Sequence, residues 1–388
     1  MIIHYISSWG ENKKGIKLQY SPAGQTKANY VVSCLKELGY EVKVGSFTYA
    51  IRGVRKWVKP YSVVSNIGVP IRYCATIPHL TKYGIFLQLF FVGIQLFFYL
   101  IFRVRKDDVV IVYHERYYYW PIRMAKLIAQ RKMVFEIEEV YTMVSGYPEK
   151  DVRKEIASFQ IADGYILIND VIGHYCQLPE SKPQCVLYGI YKYRRSKADG
   201  FNDGKVHVVY AGTLSRFKGG ATAAAAAGYL SPSDFHIHIL GFGNGEEIAY
   251  INSIVGELRN KGCSVSFDGL KTGKEFDDFM SRCDMGLSTQ SAEGLYNLTS
   301  FPSKVLSYLS YGLNVISVKL KVLEKSSVNG CLHYYQDASP QAIAAAITST
   351  AKGGGMIDRE ALAKTLDALD VQFRNHLKKL INDLTTEK

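Results

Sequence analysis

Four apolar runs, each followed by a glycine-rich or basic turn that leads into a helix-forming stretch, lie in order between residues 208 and 316. They read VVYAGTLSRFKGG, HILGFGNGEE, FDGL and LYNLTSFPSKVLSYLSYGLNVIS. In an open α/β sheet, a turn of this kind lets backbone N–H groups and cationic side chains converge on an anion at the start of a helix. The series of turns therefore predicts a binding site for a nucleotide diphosphate.

Strand-like and helix-like segments alternate along both halves of the chain, and this rhythm predicts an α/β fold with parallel sheets and helices on both faces. Strands are expected in the first half at 2–6, 41–44, 109–113, 133–137, 164–168 and 185–188, and in the second half at 206–211, 235–240, 264–267, 285–287, 315–318 and 332–335.

A polar, charged and turn-rich stretch separates the two halves between residues 191 and 205. Because 388 residues exceed the usual size of a single domain, we place a domain boundary there. Residues 1–190 would form one domain and residues 205–368 the other. A long surface loop within one domain is the alternative.

The net charge of +12 favours anionic partners such as nucleic acid, acidic lipid or phosphorylated ligands. The basic residues are scattered and no nucleic-acid recognition module is visible, so nucleic-acid binding is disfavoured. The seven cysteines form no C-x-x-C pair and no zinc-type spacing, which favours a reduced, cytoplasmic setting. The first ten residues lack the pattern of a signal peptide.

The first of the four turns contains Gly212, Thr213, Arg216 and Lys218, between a strand and an alanine-rich helix. Glycines let the backbone approach a ligand, and the two cations would form charge-assisted contacts with phosphate oxygens. An ordinary basic surface turn is the alternative, because phosphate loops and common strand–helix turns look alike in sequence. The glycine turn at 241–245 is a weak signal alone and gains weight from its position one strand–helix unit later.

The sequence Pro302-Ser303-Lys304 leads into a helix that Gly312 ends. Pro302 fits a helix start and Ser303 is expected to cap the helix, which places Lys304 in the first turn. A cation there opposes the helix dipole, and a bound diphosphate would explain its presence. An exposed lysine with a small, screened dipole penalty is the alternative.

Taken together, these segments resemble the donor-binding half of the GT-B glycosyltransferases, and within them the retaining, family-4-like clan. The resemblance implies two Rossmann-like domains that face each other across a cleft, with the sugar nucleotide held against the C-terminal domain. It also implies that a last helix, at about 371–388, returns to the first domain.

The resemblance further implies that Lys218, helped by Arg216, holds the diphosphate, and that Lys304 shares in stabilising the leaving group. Leu270 and Lys271 would meet the base through their backbone. The other residues expected at the donor are Gly212, Thr213, Gly241, Gly243, Glu293 and Ser303.

The chain departs from the family at two positions. The family often carries two glutamates before the glycine of the last motif, and counted back from Gly312 these positions hold Thr299 and Ser307. The glutamate that usually binds ribose is therefore absent, although Glu293 could reach the donor from the preceding loop. A catalytically degenerate binding or scaffold protein at the membrane stays open as an alternative.

The N-terminal half matches the family less specifically. The segment 21–27, which contains Gly24, occupies the place of the glycine-rich loop that borders the cleft. His114 follows a predicted strand, where side chains face the crevice of an open sheet. In similar transferases a histidine near this point contacts the donor sugar; an ordinary loop histidine is the alternative.

Three glutamates crowd the end of the next predicted strand, at positions 136, 138 and 139. Crowded carboxylates raise one another's pKa and suit acid–base work, which makes Glu138 a candidate on the acceptor side. Pairing with a nearby cation is the favoured alternative, and the candidate partners are Arg116, Arg123 and Lys126.

Residues 84–102 form an uncharged, mostly apolar stretch with basic residues on both flanks. Their polar members fall in a narrow stripe, and together with the flanks this favours docking on the inner-leaflet membrane surface. The stretch is long enough to span a bilayer, but it stands between expected strands of a folded domain. Spanning and burial as a core helix are the alternatives.

The sequence has no D-x-D motif and no His, Cys and Asp set with metal-ligand spacing, so we expect no metal and no cofactor beyond a nucleotide-sugar co-substrate. The predicted function is a metal-independent, retaining glycosyltransferase that transfers a sugar to a glycan or lipid-linked glycan in cell-surface polysaccharide synthesis. Its expected place is the cytoplasmic face of the membrane. A nucleotide-sugar epimerase of similar fold is a further alternative.

Overall fold

Two β-sheets, one in each half of the chain, organise the computed structural model. Met1–Leu187 together with Gln372–Lys388 form the first unit, and Tyr188–Val371 form the second. The change of unit after Leu187 falls a few residues before the polar stretch in which the sequence places the boundary. The structure describes residues 1–10, 17–81, 84–194, 200–215 and 218–386.

In its described residues the first unit has an eight-stranded sheet. The strands are β1 (Ile2–Ser7), β2 (Glu41–Ser46), β3 (Tyr61–Val64), β4 (Pro70–Tyr73), β5 (Val109–Tyr113), β6 (Lys132–Ile137), β7 (Gly164–Leu167) and β8 (Gln184–Val186). Their order is β3-β4-β2-β1-β5-β6-β7-β8, and β3 runs antiparallel to β4 whereas the other neighbours are parallel.

The two strands that the sequence does not predict, β3 and β4, lie at one edge of this sheet. They are short and expose alternate residues, so they lack the continuous apolar run of a central parallel strand. The helices of the unit are α1 (Pro22–Glu37), α2 (Gly84–Phe102), α3 (Tyr119–Ala129), α4 (Tyr141–Val144), α5 (Glu149–Phe159) and α6 (Ile172–Tyr175).

The described part of the second unit contains a six-stranded, fully parallel sheet. Its strands are β9 (Val206–Thr213), β10 (Phe235–Phe242), β11 (Val265–Gly269), β12 (Met285–Ser288), β13 (Asn314–Val318) and β14 (Leu332–Tyr335), in the order β11-β10-β9-β12-β13-β14. Its helices are α7 (Gly220–Ala225), α8 (Gly245–Asn260), α9 (Gly273–Arg282), α10 (Ser303–Ser310), α11 (Lys321–Glu324) and α12 (Pro340–Lys352).

In both sheets the strand order reverses next to the first strand of the unit, between β1 and β5 and between β9 and β12. At such a point the connections leave in opposite directions and open a crevice at the carboxyl ends of the strands. These two points are therefore the places to look for ligand-binding residues in each unit.

The last helix, α13 (Arg359–Thr386), begins in the second unit and ends in the first. Within the first unit its Phe373 is buried and stacks on Tyr30 of α1, with ring centroids 6.0 Å apart. Arg374 forms an ion pair with Glu37, the last residue of α1. The part of α13 that belongs to the first unit is thus held by α1 through an aromatic contact and an ion pair.

The substitution Phe373→Ala should lower the stability of the first unit by about 3 kcal/mol, because it leaves a cavity where a large ring is buried. The matched control is Val371→Ala, two residues earlier on the same helix, where the side chain is 57% exposed. Thermal unfolding followed by circular dichroism measures both variants. Equal melting temperatures for the two variants would contradict the anchoring role of Phe373.

Candidate functional site

Two glycines face each other at the carboxyl ends of the neighbouring strands β9 and β10. Gly212 and Gly241 are paired in the parallel register, and a Cβ on Gly241 would lie 1.8 Å from the carbonyl oxygen of Gly212. A Cβ on Gly212 would lie 2.6 Å from Cε of Lys304. Glycine is therefore required at position 241, and the space beside Gly212 is occupied by the flexible end of the lysine side chain.

Lys304 lies in the first turn of α10. The predicted cap is wrong: the N-cap position belongs to Pro302, Ser303 is the first helical residue, and no side chain caps this helix end. Pro302 has extended backbone angles, so the turn closes one residue earlier than the sequence suggests. The first N–H groups of a helix have no partner within it, and this helix start therefore keeps donors available next to a cation.

The ammonium group of Lys304 is buried against an aromatic ring. Its Nζ lies 3.4 Å from the centroid of the Tyr210 ring, and among the described residues it has no hydrogen-bond partner. Burial, with a smaller contribution from the charge of Lys218, lowers the pKa of Lys304 to about 7. A buried cation without an anion is costly, and an anionic ligand would compensate that cost.

Tyr210 also fixes the loop that carries Lys218. Its hydroxyl lies 2.8 Å from the carbonyl oxygen of Thr213 and 2.9 Å from that of Lys218, so both ends of the loop are tied to one phenol. The side chain of Lys218 itself is exposed. Arg216, the other cation predicted here, lies outside the described residues.

A second tyrosine holds α10 in place. The Tyr308 hydroxyl accepts the N–H of Ala211 at 2.9 Å and lies 3.2 Å from the carbonyl oxygen of Leu287. Gly286 makes room for its ring, since a Cβ there would lie 2.3 Å from the ring. The buried hydroxyl links α10 to β9 and β12, on either side of the point where the strand order reverses.

The glycine turn after β10 is already partly satisfied by its own side chains. Asn244 accepts the N–H of Glu247, and the Glu247 carboxylate accepts the N–H of Asn244, which forms a capping box at the start of α8. The predicted donor residue Gly243 packs against this Glu247, which a Cβ would approach to 2.7 Å. The turn is thus preorganised, although its first N–H groups are less available to an anion than those of α10.

The residues predicted for the base lie after β11. Leu270 is 60% exposed, whereas the Lys271 ammonium pairs with Glu275 at 2.7 Å and lies 5.2 Å from the Phe279 ring centroid. The Lys271 side chain is therefore engaged within the protein. This leaves its backbone as the part that a base could contact.

Of the two positions that hold glutamates in the family, Thr299 lies in the loop before α10, as does Glu293, whereas Ser307 lies within α10 itself. Thr299 is fully buried and its hydroxyl lies 3.3 Å from the carbonyl oxygen of Tyr296. Glu293 is exposed, and its backbone is fixed by Ser291 and Asn297. Among these residues, the exposed carboxylate of Glu293 remains accessible to a ligand.

In the first unit, the predicted partners of Glu138 are wrong. Glu138 pairs with Lys27 of α1, whose Nζ donates to its carboxylate at 2.5 Å and to the carbonyl oxygen of Leu187 at 2.8 Å. Two of the expected partners are engaged elsewhere: Lys126 pairs with Asp163, and Arg116 lies over the Tyr147 ring. Lys27 precedes Glu138 by 111 residues, so this ion pair could not be predicted from closeness in the sequence.

Two more carboxyl groups are buried near the carboxyl ends of β5 and β6. Glu136 accepts the Tyr5 hydroxyl at 2.6 Å, and burial together with the charge of Glu138 raises its pKa to about 7. Burial also raises the pKa of Glu115 to about 7, and the Ser8 hydroxyl lies 3.4 Å from its carboxylate. Glu115 was not among the predicted site residues. Its position two residues after β5, at the carboxyl end of a parallel strand, would have indicated it.

Gly24 lies in the first turn of α1, close to this edge of the sheet. Its N–H donates to the Ser21 hydroxyl at 3.1 Å, which caps the helix, and a Cβ there would lie 2.8 Å from the Tyr113 hydroxyl. The helix starts at Pro22, because the Ser21 cap and Pro22 form its first turn, so most of the segment expected to form a loop is helical. Glycine at position 24 thus allows the helix to approach β5 closely.

His114 does not reach a surface in this structure. Its ring is 2% exposed and packs between Tyr119 and Tyr141, and its Nε2 lies 2.7 Å from the Tyr119 hydroxyl and 3.4 Å from the carboxylate of Glu155. Burial lowers its pKa to about 3, so the imidazole is neutral at pH 7. The structure gives His114 a packing position in place of the predicted contact with a donor sugar.

The substitution Lys304→Met should raise the melting temperature of the ligand-free protein. The unfolded lysine stays protonated up to its ordinary pKa of 10.5, whereas the folded one loses its proton near pH 7, so the native residue destabilises the fold most fully below pH 7. The gain should be on the order of 5 kcal/mol there, at about 1.4 kcal/mol per pKa unit, and should shrink as the pH rises toward 10.5.

Thermal unfolding at several pH values measures this difference. Added pyrophosphate should stabilise the native protein more than it stabilises the Met variant. A Met variant that is less stable than the native protein at pH 7 would show that the ammonium has a partner that it stabilises.

No protein-family model and no curated protein sequence matches this chain. Similar solved structures include Anabaena HepE in complex with UDP, with a TM-score of 0.64 and 14% identity over 100% of this chain and 99% of that chain. They also include sucrose-phosphate synthase from Thermosynechococcus elongatus, with a TM-score of 0.71 and 13% identity over 100% and 99% of the two chains. A third is an α,α-trehalose-phosphate synthase (UDP-forming) from Burkholderia xenovorans in complex with glucose-6-phosphate, with a TM-score of 0.61 and 11% identity over 98% and 99%.

These structures are two-domain GT-B glycosyltransferases, and the likeness extends over essentially the whole of each chain. The predicted GT-B fold is therefore confirmed. At this level of identity the likeness concerns the fold, and the assignment to the family-4-like retaining clan stays a prediction.

Proposed function

We propose that this protein is a glycosyltransferase whose second unit binds the diphosphate of a nucleotide sugar beside Lys304. The observation that carries the proposal is the buried ammonium of Lys304, which has no hydrogen-bond partner among the described residues and feels the charge of Lys218. It stands at the start of α10, where helix N–H groups add to the positive potential. Two cations and a helix start at a glycine-lined strand end fit a diphosphate better than a neutral ligand.

The same arrangement suits the chemical step. When the glycosidic bond to the diphosphate breaks, negative charge grows on the leaving oxygen, and preorganised cations stabilise that charge more than the ground state. The ammonium of Lys304 lies in a water-poor site, where such an interaction is stronger than in water. Binding of the diphosphate would raise the pKa of Lys304 and keep it protonated during the reaction.

The donor is proposed to be a UDP-sugar, because HepE and the trehalose-phosphate synthase of E. coli were solved with UDP and with UDP-2-fluoro glucose. Glu293 is proposed to contact the donor from its exposed loop, in place of the glutamate that Thr299 replaces. Leu270 and the backbone of Lys271 are proposed to meet the base.

The acceptor is proposed to be a glycan or a lipid-linked glycan in cell-surface polysaccharide synthesis, bound to the first unit at the cytoplasmic face of the membrane. Glu138, which Lys27 holds in place, and Glu115 lie just beyond the carboxyl ends of strands β6 and β5. Carboxylates that are held in place suit the recognition of sugar hydroxyls.

Transfer is proposed to retain the anomeric configuration and to need no metal. Among the described residues, no group of three or more His, Cys, Asp or Glu side chains is arranged to hold a metal ion. Lys218 and Lys304 would take over the neutralisation of the diphosphate. Turnover should accordingly be unchanged by EDTA.

A non-catalytic binding protein of the same fold is the second candidate, and it is favoured by the buried Thr299 at the position of a family glutamate. A screen of donor hydrolysis and transfer across UDP-, GDP- and TDP-sugars separates the two candidates. A transferase should release nucleoside diphosphate from one class of donor. A protein that binds no sugar nucleotide in calorimetry would support the scaffold.

The substitutions Lys304→Met and Lys218→Ala should each weaken UDP binding by about tenfold or more and reduce turnover sharply, because each removes a cation from the diphosphate site. Isothermal titration calorimetry with UDP and a transfer assay measure the two effects. Lys261→Ala, which removes an exposed lysine at the end of α8, is the matched control and should behave like the native protein. Unchanged turnover in Lys218→Ala with an intact fold would refute its role at the leaving group.

A further inference from the structure

An apolar surface formed by two neighbouring helices lies on the first unit. On α2, Phe86, Phe90, Phe98 and Phe102 follow a spacing of four or eight residues and are 51–74% exposed. On α3, Leu127 and Ile128 are 67% and 62% exposed, next to a half-exposed Met124. We call these side chains the two-helix surface. Its α2 half was predicted from the sequence, whereas its α3 half was not.

The two rows are continuous. Trp120 of α3 stacks on Phe90, with ring centroids 5.8 Å apart, and its ring fills the space beside Gly93, where a Cβ would lie 2.4 Å away. At the other end, the guanidinium of Arg131 donates to the carbonyl oxygens of Leu100 and Ile101 and ties the chain after α3 to the last turn of α2. The four exposed rings of α2 alone contribute about 400–600 Å², at about 150–250 Å² for each fully exposed ring, and the side chains of α3 add to this. The patch is therefore at least as large as the largest patch of a typical soluble monomer, about 300–600 Å².

The opposite face of α2 is bound to the first unit by polar contacts. Gln88 accepts the N–H of Ala50 at 2.9 Å, and Gln95 accepts the N–H of Ala75 at 2.7 Å and donates to its carbonyl oxygen at 2.9 Å. The helix has the length and hydropathy to cross a bilayer, but a third of its most apolar window is buried in the protein. Crossing would break the contacts of both glutamines, so α2 is built to lie on a surface.

The charged residues in this part of the chain are almost all positive. Between Glu41 and Asp107 the sequence contains ten Lys and Arg residues and no Asp or Glu. Four of these cations stand in the loop 52–59, where the exposed Trp57 packs on Phe91 of α2 at 5.5 Å between ring centroids. Arg103 and Arg105 are exposed directly after Phe102, at the other end of the helix.

We propose that the two-helix surface and the basic loop 52–59 together dock the protein onto an anionic lipid bilayer. Phenylalanine and leucine side chains would enter the acyl boundary, Trp57 would lie at the headgroup level, and the cations at both ends of α2 would meet lipid phosphates. A second copy of this chain would place like charges opposite each other around the patch, and so fits the surface less well. This inference deepens the membrane location in the proposed function, because it names the surface and the lipid charge, and it does not depend on catalysis.

Co-sedimentation of the full chain with vesicles tests the proposal. Vesicles of phosphatidylcholine with one quarter phosphatidylglycerol should bind the protein at least about tenfold more strongly than phosphatidylcholine alone, and high salt should weaken this binding. Leu127→Gln/Ile128→Gln should reduce binding to the anionic vesicles by about fivefold or more. Arg55→Ala/Lys56→Ala should reduce it by about tenfold.

Matched controls change equally exposed residues elsewhere. Val371→Gln on α13 and Arg259→Ala/Lys261→Ala at the end of α8 should bind as the native protein does. Circular dichroism shows that each variant is folded, and UDP binding, a property of the second unit, should stay unchanged. Anionic-vesicle binding that the Leu127/Ile128 variant retains in full would overturn the role of α3.

Absence of vesicle binding, combined with a dimer in light scattering that the Leu127/Ile128 variant abolishes, would assign the surface to a second copy. Resistance to extraction from the vesicles by alkaline carbonate would indicate that α2 spans the bilayer. Either result would overturn the proposal of a docked helix.

Discussion

The burial of one ammonium group, that of Lys304, is the constraint on which the candidate site depends. A cation held against the ring of Tyr210 without an anionic partner is unfavourable for folding, and the surrounding structure must compensate that cost. The Tyr308 hydroxyl bonds α10 to β9 and β12, and Gly212 and Gly241 leave room at the ends of their strands. The site is thus prepared in advance, which is how enzymes limit the reorganisation needed when charge develops.

Tyrosine performs two tasks in this arrangement. The ring of Tyr210 provides an electron-rich face for the cation, and its hydroxyl holds the loop that carries Lys218. A purely apolar residue could fill the same space, but it would neither stabilise the ammonium nor fix the loop. The separation of Lys218 from Lys304 is therefore set by residues that need not touch the ligand.

The sequence was informative where the relevant residues follow one another along the chain. The glycine turns, Lys218 and Lys304 could be identified because strand, turn and helix start are adjacent in sequence, and the fold could be predicted from the alternation of strands and helices. What the sequence could not show were contacts between distant elements, such as Lys27 with Glu138 or His114 with Glu155. The burial of His114 depends on aromatic rings from three other elements, and a strand-end position says nothing about them.

The path of the chain through its two units has a consequence for how the protein is made. The first unit is interrupted after Leu187 and is completed by the segment that begins at Gln372, so the second unit is an insertion within it. During synthesis the inserted unit emerges whole before Phe373 and Arg374 do, so α1 must wait for these contacts until the second unit has been made. The first unit, with its exposed apolar helices, therefore reaches its final form after the second, the reverse of the order in which the two units begin along the chain.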